Sequence, residues 1–176
     1  MDNVQTAKFG DQATLKVGRA PSVWDVMKPV GTFSVIARDG LGNIKEARIV
    51  RNLITSAGKA GLASRIGGSG SEAAFTYLAV GTGTTAAAAG DTALQTELAT
   101  SGLSRVNATA SRVTTTVTND TAQLVTTFTV TGTAAVTEAG ILNAASSGTL
   151  LCRQVFTAVN VVNGDSLQLT YKVACS

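Results

Sequence analysis

Apolar and polar residues alternate with a period of two along most of this chain, and give way to a period near four in two short places. From Gly31, TFSVIAR and NIKEARIV predict two strands joined by a glycine-bearing loop at Asp39, Gly40, Leu41 and Gly42. TSAGKAGLASRIGG then predicts a short helix, with Thr55 or Ser56 as its cap, Leu62 and Ile66 one turn apart, and Gly67 and Gly68 as the stop. FTYLAV, residues 75–80, predicts a buried strand. GDTALQTELATSG, residues 90–102, predicts a second short helix, with Thr92 and Gln95 spaced as a capping box and Leu94 and Leu98 on one face.

After residue 102 the pattern is strand and turn. SRVTTTVTNDTAQLVTTFTV predicts a hairpin about Asn119 and Asp120. Val113, Thr115 and Val117 then share a face with Ala122, Leu124 and Phe128, and Arg112, Thr114, Thr116, Gln123 and Thr127 take the other. Threonine suits such strands, because its β-branch fits the pleat. LLCRQVFTAVNVVNGDSLQLTYKVACS carries the strongest hairpin signal, Asn163 followed by Gly164. That register sets Phe156 opposite Tyr171, Ala158 opposite Leu169, Gln154 opposite Val173, and Cys152 opposite Cys175. Its inner face is Phe156, Leu167, Leu169, Tyr171 and Val173, and its outer face is Arg153, Thr157, Gln168, Thr170 and Lys172.

Residues 1–30 lack clean periodicity and are interrupted by Pro21 and Pro29, so they predict an extended arm. Phe9 and Trp24 have no local apolar partner there, and with Lys16, Arg19 and Lys28 they are the candidate contacts to a neighbouring subunit. The expected organisation is therefore a docking arm over residues 1–30 and a sandwich domain over residues 31–176. The fold class is mainly β: an antiparallel β-sandwich of Ig-like or jelly-roll type, with two short helices and the arm.

Composition sharpens this picture. Apolar residues make up 44% of the chain but aromatics only 5%, so the core must be built of aliphatic side chains and threonine methyls. Residues 1–66 hold ten Lys/Arg against five Asp/Glu, and residues 67–176 hold four against six. The basic excess suits an acidic partner surface, although alternating signs also describe a solvated face. Aromatics do not interleave with the cations as single-strand binding would require, so no direct nucleic acid is expected. No run approaches the roughly 20 apolar residues of a membrane span. The first sixteen residues lack the apolar stretch of a secretory signal, and a soluble, cytosol-made protein is expected.

Gly81, Gly83 and Ala86 fit G-x-G-x-x-G/A, the dinucleotide fingerprint. That site also needs a β-α-β unit and an acid about 20 residues on, and there is no Asp or Glu between Glu97 and Asp120. The glycines are instead expected to let the chain leave a strand at positive φ. Ala57-Gly58-Lys59-Ala60 lacks the Ser/Thr of a P-loop. The chain has no histidine, which removes histidine-based acid–base and nucleophile pairs. Glu138, alone in a neutral stretch, is expected to bond backbone N–H groups and not to serve as a catalytic carboxylate. No enzymatic activity, metal or cofactor is expected. Cys152 and Cys175 are thiols by the cytosolic origin, or a cross-strand disulfide after release.

NLITSAGKAGLA, FTYLAVGTGTTAAAAGDTALQTEL, VTEAGILNAASSGTLLCRQVF and VNVVNGDSLQLTYKV, in that order, resemble blocks of small virion proteins of tailed bacteriophages. The resemblance covers about residues 31–174. It implies a β-sandwich installed in several copies on the virion, either as a capsid cement (decoration) protein or as a tail, neck or fibre component. The partners it implies are the major capsid protein or other virion proteins, with self-association as a trimer, and the family supplies no catalytic residues.

Overall fold

The computed structural model describes residues 5–9, 13–17 and 29–175. Residues Gln5–Phe9 (β1) and Ala13–Val17 (β2) pair antiparallel with each other and, among the described residues, with no other strand, so part of the expected arm is a two-stranded ribbon.

Two five-stranded antiparallel sheets build the rest. The first runs in the order β4 (Ile44–Arg51), β3 (Pro29–Arg38), β12 (Ser166–Cys175), β9 (Thr121–Thr129), β8 (Thr109–Val113). The second is β5 (Leu53–Ile54), β11 (Leu150–Val161), β10 (Ala134–Leu142), β6 (Tyr77–Gly81), β7 (Val106–Asn107). The mainly β, antiparallel sandwich read from the alternation is the fold. Phe33, Val35 and Ala37 alternate inward along β3, and Leu167, Leu169 and Tyr171 do so along β12. They meet Leu78, Val80, Ile141 and Val159 of the other sheet in one hydrophobic core that also holds Phe128 and Phe156. Phe33 and Tyr171 lie directly opposite across β3 and β12, with ring centroids 5.0 Å apart. Among the described residues no helix is long and apolar enough to cross a membrane.

The first hairpin forms as expected from β3 and β4, with Gly42 at φ +89° in its loop. The helix α1 (Ser56–Gly67) also forms. The Thr55 hydroxyl accepts the Gly58 N–H at 2.9 Å, and Gly68 closes the helix in the left-handed region at φ +60°. The sequence AGKAG serves helix packing, not phosphate binding. A Cβ on Gly58 would stand 2.1 Å from the Leu151 carbonyl oxygen, and one on Gly61 would stand 2.5 Å from the Phe75 ring. Glycine lets α1 touch β11 backbone to backbone.

Three expectations are corrected. Residues 90–102 form no helix, so α1 is the single helix among the described residues. The N–H groups that would build that helix have other acceptors: Gln95 and Thr96 bond the Glu138 carboxylate, and Leu98 bonds the Val80 carbonyl. Leu94 is buried and Leu98 half-buried, but in an extended loop lying along the end of β6. The second hairpin pairs β8 with β9, yet it does not turn on Asn119 and Asp120 alone. Val113 opposes Thr121 and Arg112 opposes Ala122, whereas a two-residue turn at Asn119 and Asp120 would set Val113 opposite Thr126. The Asp120 carboxylate gathers the Thr115, Thr116 and Val117 N–H groups, each at 2.8 Å, and closes a wider loop over residues 114–120.

The third correction is the largest. β11 and β12 do not pair; they lie in different sheets and face each other across the core. Cys152 pairs with Ile54 and Ile141, and Cys175 pairs with Pro29, so the two cysteines do not stand opposite one another. An arch between sheets and a hairpin within one sheet demand the same alternation, so period alone could not separate them. The turn itself shows why the arch wins. Gly164 donates to the Val130 carbonyl, and Val130 donates to the Asp165 carbonyl. The buried Asp165 carboxylate takes the Val162 N–H at 2.9 Å and Lys45 Nζ at 2.5 Å. The turn is thus bonded to the neighbouring sheet-crossing segment, while β12 is flanked on both sides by β3 and β9.

Candidate functional site

The glycine turn after β6 is organised by Glu138, which is fully buried on β10. Its Oε1 accepts the N–H of Gly83 at 3.0 Å and of Thr96 at 2.7 Å. Its Oε2 accepts the N–H of Gln95 at 3.0 Å and Nε of Arg153 at 2.6 Å. Arg153, 2% exposed, also donates to the Asp91 carboxylate at 2.9 Å and to the Thr85 carbonyl at 3.0 Å. The sequence put Arg153 on a wet outer face; the structure buries it as the counter-ion of Glu138.

Burial alone would raise the Glu138 carboxyl. The Thr96 N–H, Arg153 and the Gln95 N–H outweigh it and hold the group below its ordinary value. The Ala88 N–H, against the effect of burial and with Arg153 assisting, keeps Asp91 low as well. Four donors surround one carboxylate, all from the chain itself. That arrangement folds residues 82–100 onto the sheet, the role expected of a glutamate bonding backbone N–H groups.

Gly81 and Gly83 are needed for space. Neither has positive φ, contrary to expectation. A Cβ on Gly83 would lie 2.5 Å from Glu138 Oε1, and one on Gly81 would lie 2.4 Å from the Thr96 carbonyl oxygen. The backbone approaches an anion, as in a dinucleotide fold, but the anion is the protein's own side chain. Gln95, read as part of a capping box, accepts the Thr84 and Thr85 N–H groups at 3.0 and 2.9 Å.

A second polar cluster lies at the start of β3. Tyr171 Oη and both polar atoms of Asn52 are buried without a hydrogen-bond partner. A Cβ on Gly31 would meet Asn52 Oδ1 at 2.0 Å and Tyr171 Oη at 2.7 Å, which explains the glycine. Burial pushes the Cys152 thiol up to about 12. Cys152 is a buried free thiol, unsuited to act as a nucleophile.

Beside this cluster an apolar groove of about 740 Å³ opens between α1 and the first residues of β3. Val30, Leu53, Leu62, Ile66 and Val173 line it, together with Asn52 and the exposed cations Arg51 and Lys59. Ile66 is 72% exposed and Val30 43%. Sequence reasoning used Leu62 and Ile66 to place a helix and missed that their face is left open. Of the candidate contacts in the arm, Phe9 pairs with Ala13 and Lys16 with Thr6 in the ribbon. Arg19, Trp24 and Lys28 lie outside the described residues. Among the described residues no three His, Cys, Asp or Glu side chains are placed to hold a metal ion. Comparison with protein-family models, curated proteins and solved structures finds no match.

Proposed function

We propose that this protein is a non-enzymatic structural part of a tailed-bacteriophage particle, a cement protein that binds across capsid subunits through its N-terminal residues. The observation that carries the reading is the open apolar groove where the N-terminal segment joins the sandwich. Exposed apolar surface rimmed by charge marks a docking site. The order and wording of the four sequence blocks, together with the basic first third, support a virion setting and an acidic partner. The buried polar chemistry supports the same role, because Glu138, Arg153 and Asp91 bond one another and nearby backbone, serving shape. The mechanism is repeated burial: modest contacts, multiplied by particle symmetry, resist internal pressure.

Gold-labelled antibody on intact particles tests the reading. Label distributed over heads is expected. Label confined to tails would replace cement with a tail, neck or fibre role, and unlabelled particles would end the virion assignment.

A further inference from the structure

Sandwich and groove meet at Pro29, and the eight residues before it read PSVWDVMK. Val23, Trp24, Val26 and Met27 make this the most apolar part of the N-terminal region, and Asp25 is its one acid. The groove has the complementary character, since aliphatic Leu53, Leu62 and Val173 and the cations Arg51 and Lys59 line it. We infer that residues 21–28 of one copy of this chain dock in the groove of a second copy, with the Trp24 indole on the Leu62 and Ile66 face and Asp25 between Arg51 and Lys59.

The choice of a second copy follows from the backbone. β3 is already paired with β12 at Pro29 and Val30, which form the groove's own lip. A residue preceding proline is disfavoured in helical conformations and favours extended ones. The sequence therefore favours a chain that runs on past the groove it starts from, and disfavours a tight reversal into it. Eight extended residues reach about 27 Å, enough to span to an adjacent copy. Swapped segments of this kind close a symmetric oligomer when each copy gives and receives one. This inference depends on the proposed function only for the idea that the N-terminal segment acts between subunits.

Trp24 is the sole tryptophan, so its fluorescence reports the segment directly. With the purified full chain, emission should move to shorter wavelength and quenching by acrylamide should fall as concentration rises, in step with mass by sedimentation. Ile66→Glu, at an exposed helix position, should return emission to that of solvated indole at every concentration while circular dichroism stays unchanged. Asp25→Lys should weaken association, and adding Lys59→Asp should restore it. A solvated indole at all concentrations overturns the inference, as does shielding that is independent of concentration, or shielding that Ile66→Glu leaves intact. No particle is needed, so failure here leaves attachment to capsids to be judged separately.

Discussion

The two buried polar clusters of the sandwich have opposite economies. Around Glu138 every acceptor has a donor: two oxygens, three backbone N–H groups, and an arginine that is itself bonded to Asp91 and Thr85. Around Tyr171 the hydroxyl and the Asn52 amide have none. A satisfied network rigidifies what surrounds it, and orphaned buried groups cost free energy. The first cluster fixes a long loop to the sheet. The second lies beside the open groove, at a place where the sandwich is both apolar outside and unsatisfied inside. Stability and the proposed attachment thus fall to different regions, and substitutions should separate them.

The largest effect belongs to Glu138→Gln. It keeps the shape but removes the buried charge nearest Arg153, leaving Asp91 as its counter-ion, and sets an amide NH2 against backbone N–H donors; loss of one partner from such a buried pair costs about 3–5 kcal/mol. Urea unfolding should show that loss with an unchanged slope. Gly83→Ala comes next. Its Cβ would press on a carboxylate that four hydrogen bonds hold in place, and overpacking of this kind costs about 1–3 kcal/mol. Tyr171→Phe belongs at the other end of the scale. Removing a hydroxyl that has no partner should leave stability unchanged or raise it by no more than about 1 kcal/mol. A large loss there would show that the hydroxyl is bonded after all and erase the contrast.

Acid should act on the first cluster and on the Asp165 turn. Glu138, Asp91 and Asp165 are all held below their ordinary values, so their stabilisation is full above those values and disappears as pH falls through the lowered ones. Thermal midpoints should therefore be flat near neutrality and decline once pH drops below 4.5, the ordinary value of a glutamate. Glu138→Gln should flatten part of that decline.

Much of the sandwich was legible from alternation, because strands with one wet face write their orientation into the sequence. Phe33, Val35, Leu167, Leu169 and Tyr171 are buried as their spacing demands. Caps were legible too, since Thr55 and Gly68 act locally. What period two cannot encode is which strand lies beside which. The Asn163 and Gly164 turn reads as a hairpin until Asp165, Lys45 and Val130 are seen to bind it. Residues 90–102 read as a helix because Leu94 and Leu98 are four apart. The acceptor that takes their backbone donors, Glu138, lies about forty residues away. Glu138 itself was recognisable as the lone acid of a neutral stretch, whereas its partner Arg153 was assigned to the wrong face. The groove was invisible because it exists only where α1, β3 and β12 converge.

Attachment through the N-terminal residues is the claim on which the functional account stands. Its most direct test is the addition of the chain without residues 1–28 to particles that lack this protein, measured against the full chain. Since both five-stranded sheets begin at or after Pro29, the shortened chain should lose only the β1–β2 ribbon from its strand content and unfold cooperatively, yet bind at least about tenfold more weakly, a loss of about 1.4 kcal/mol or more. Addition equal to that of the full chain would contradict the account.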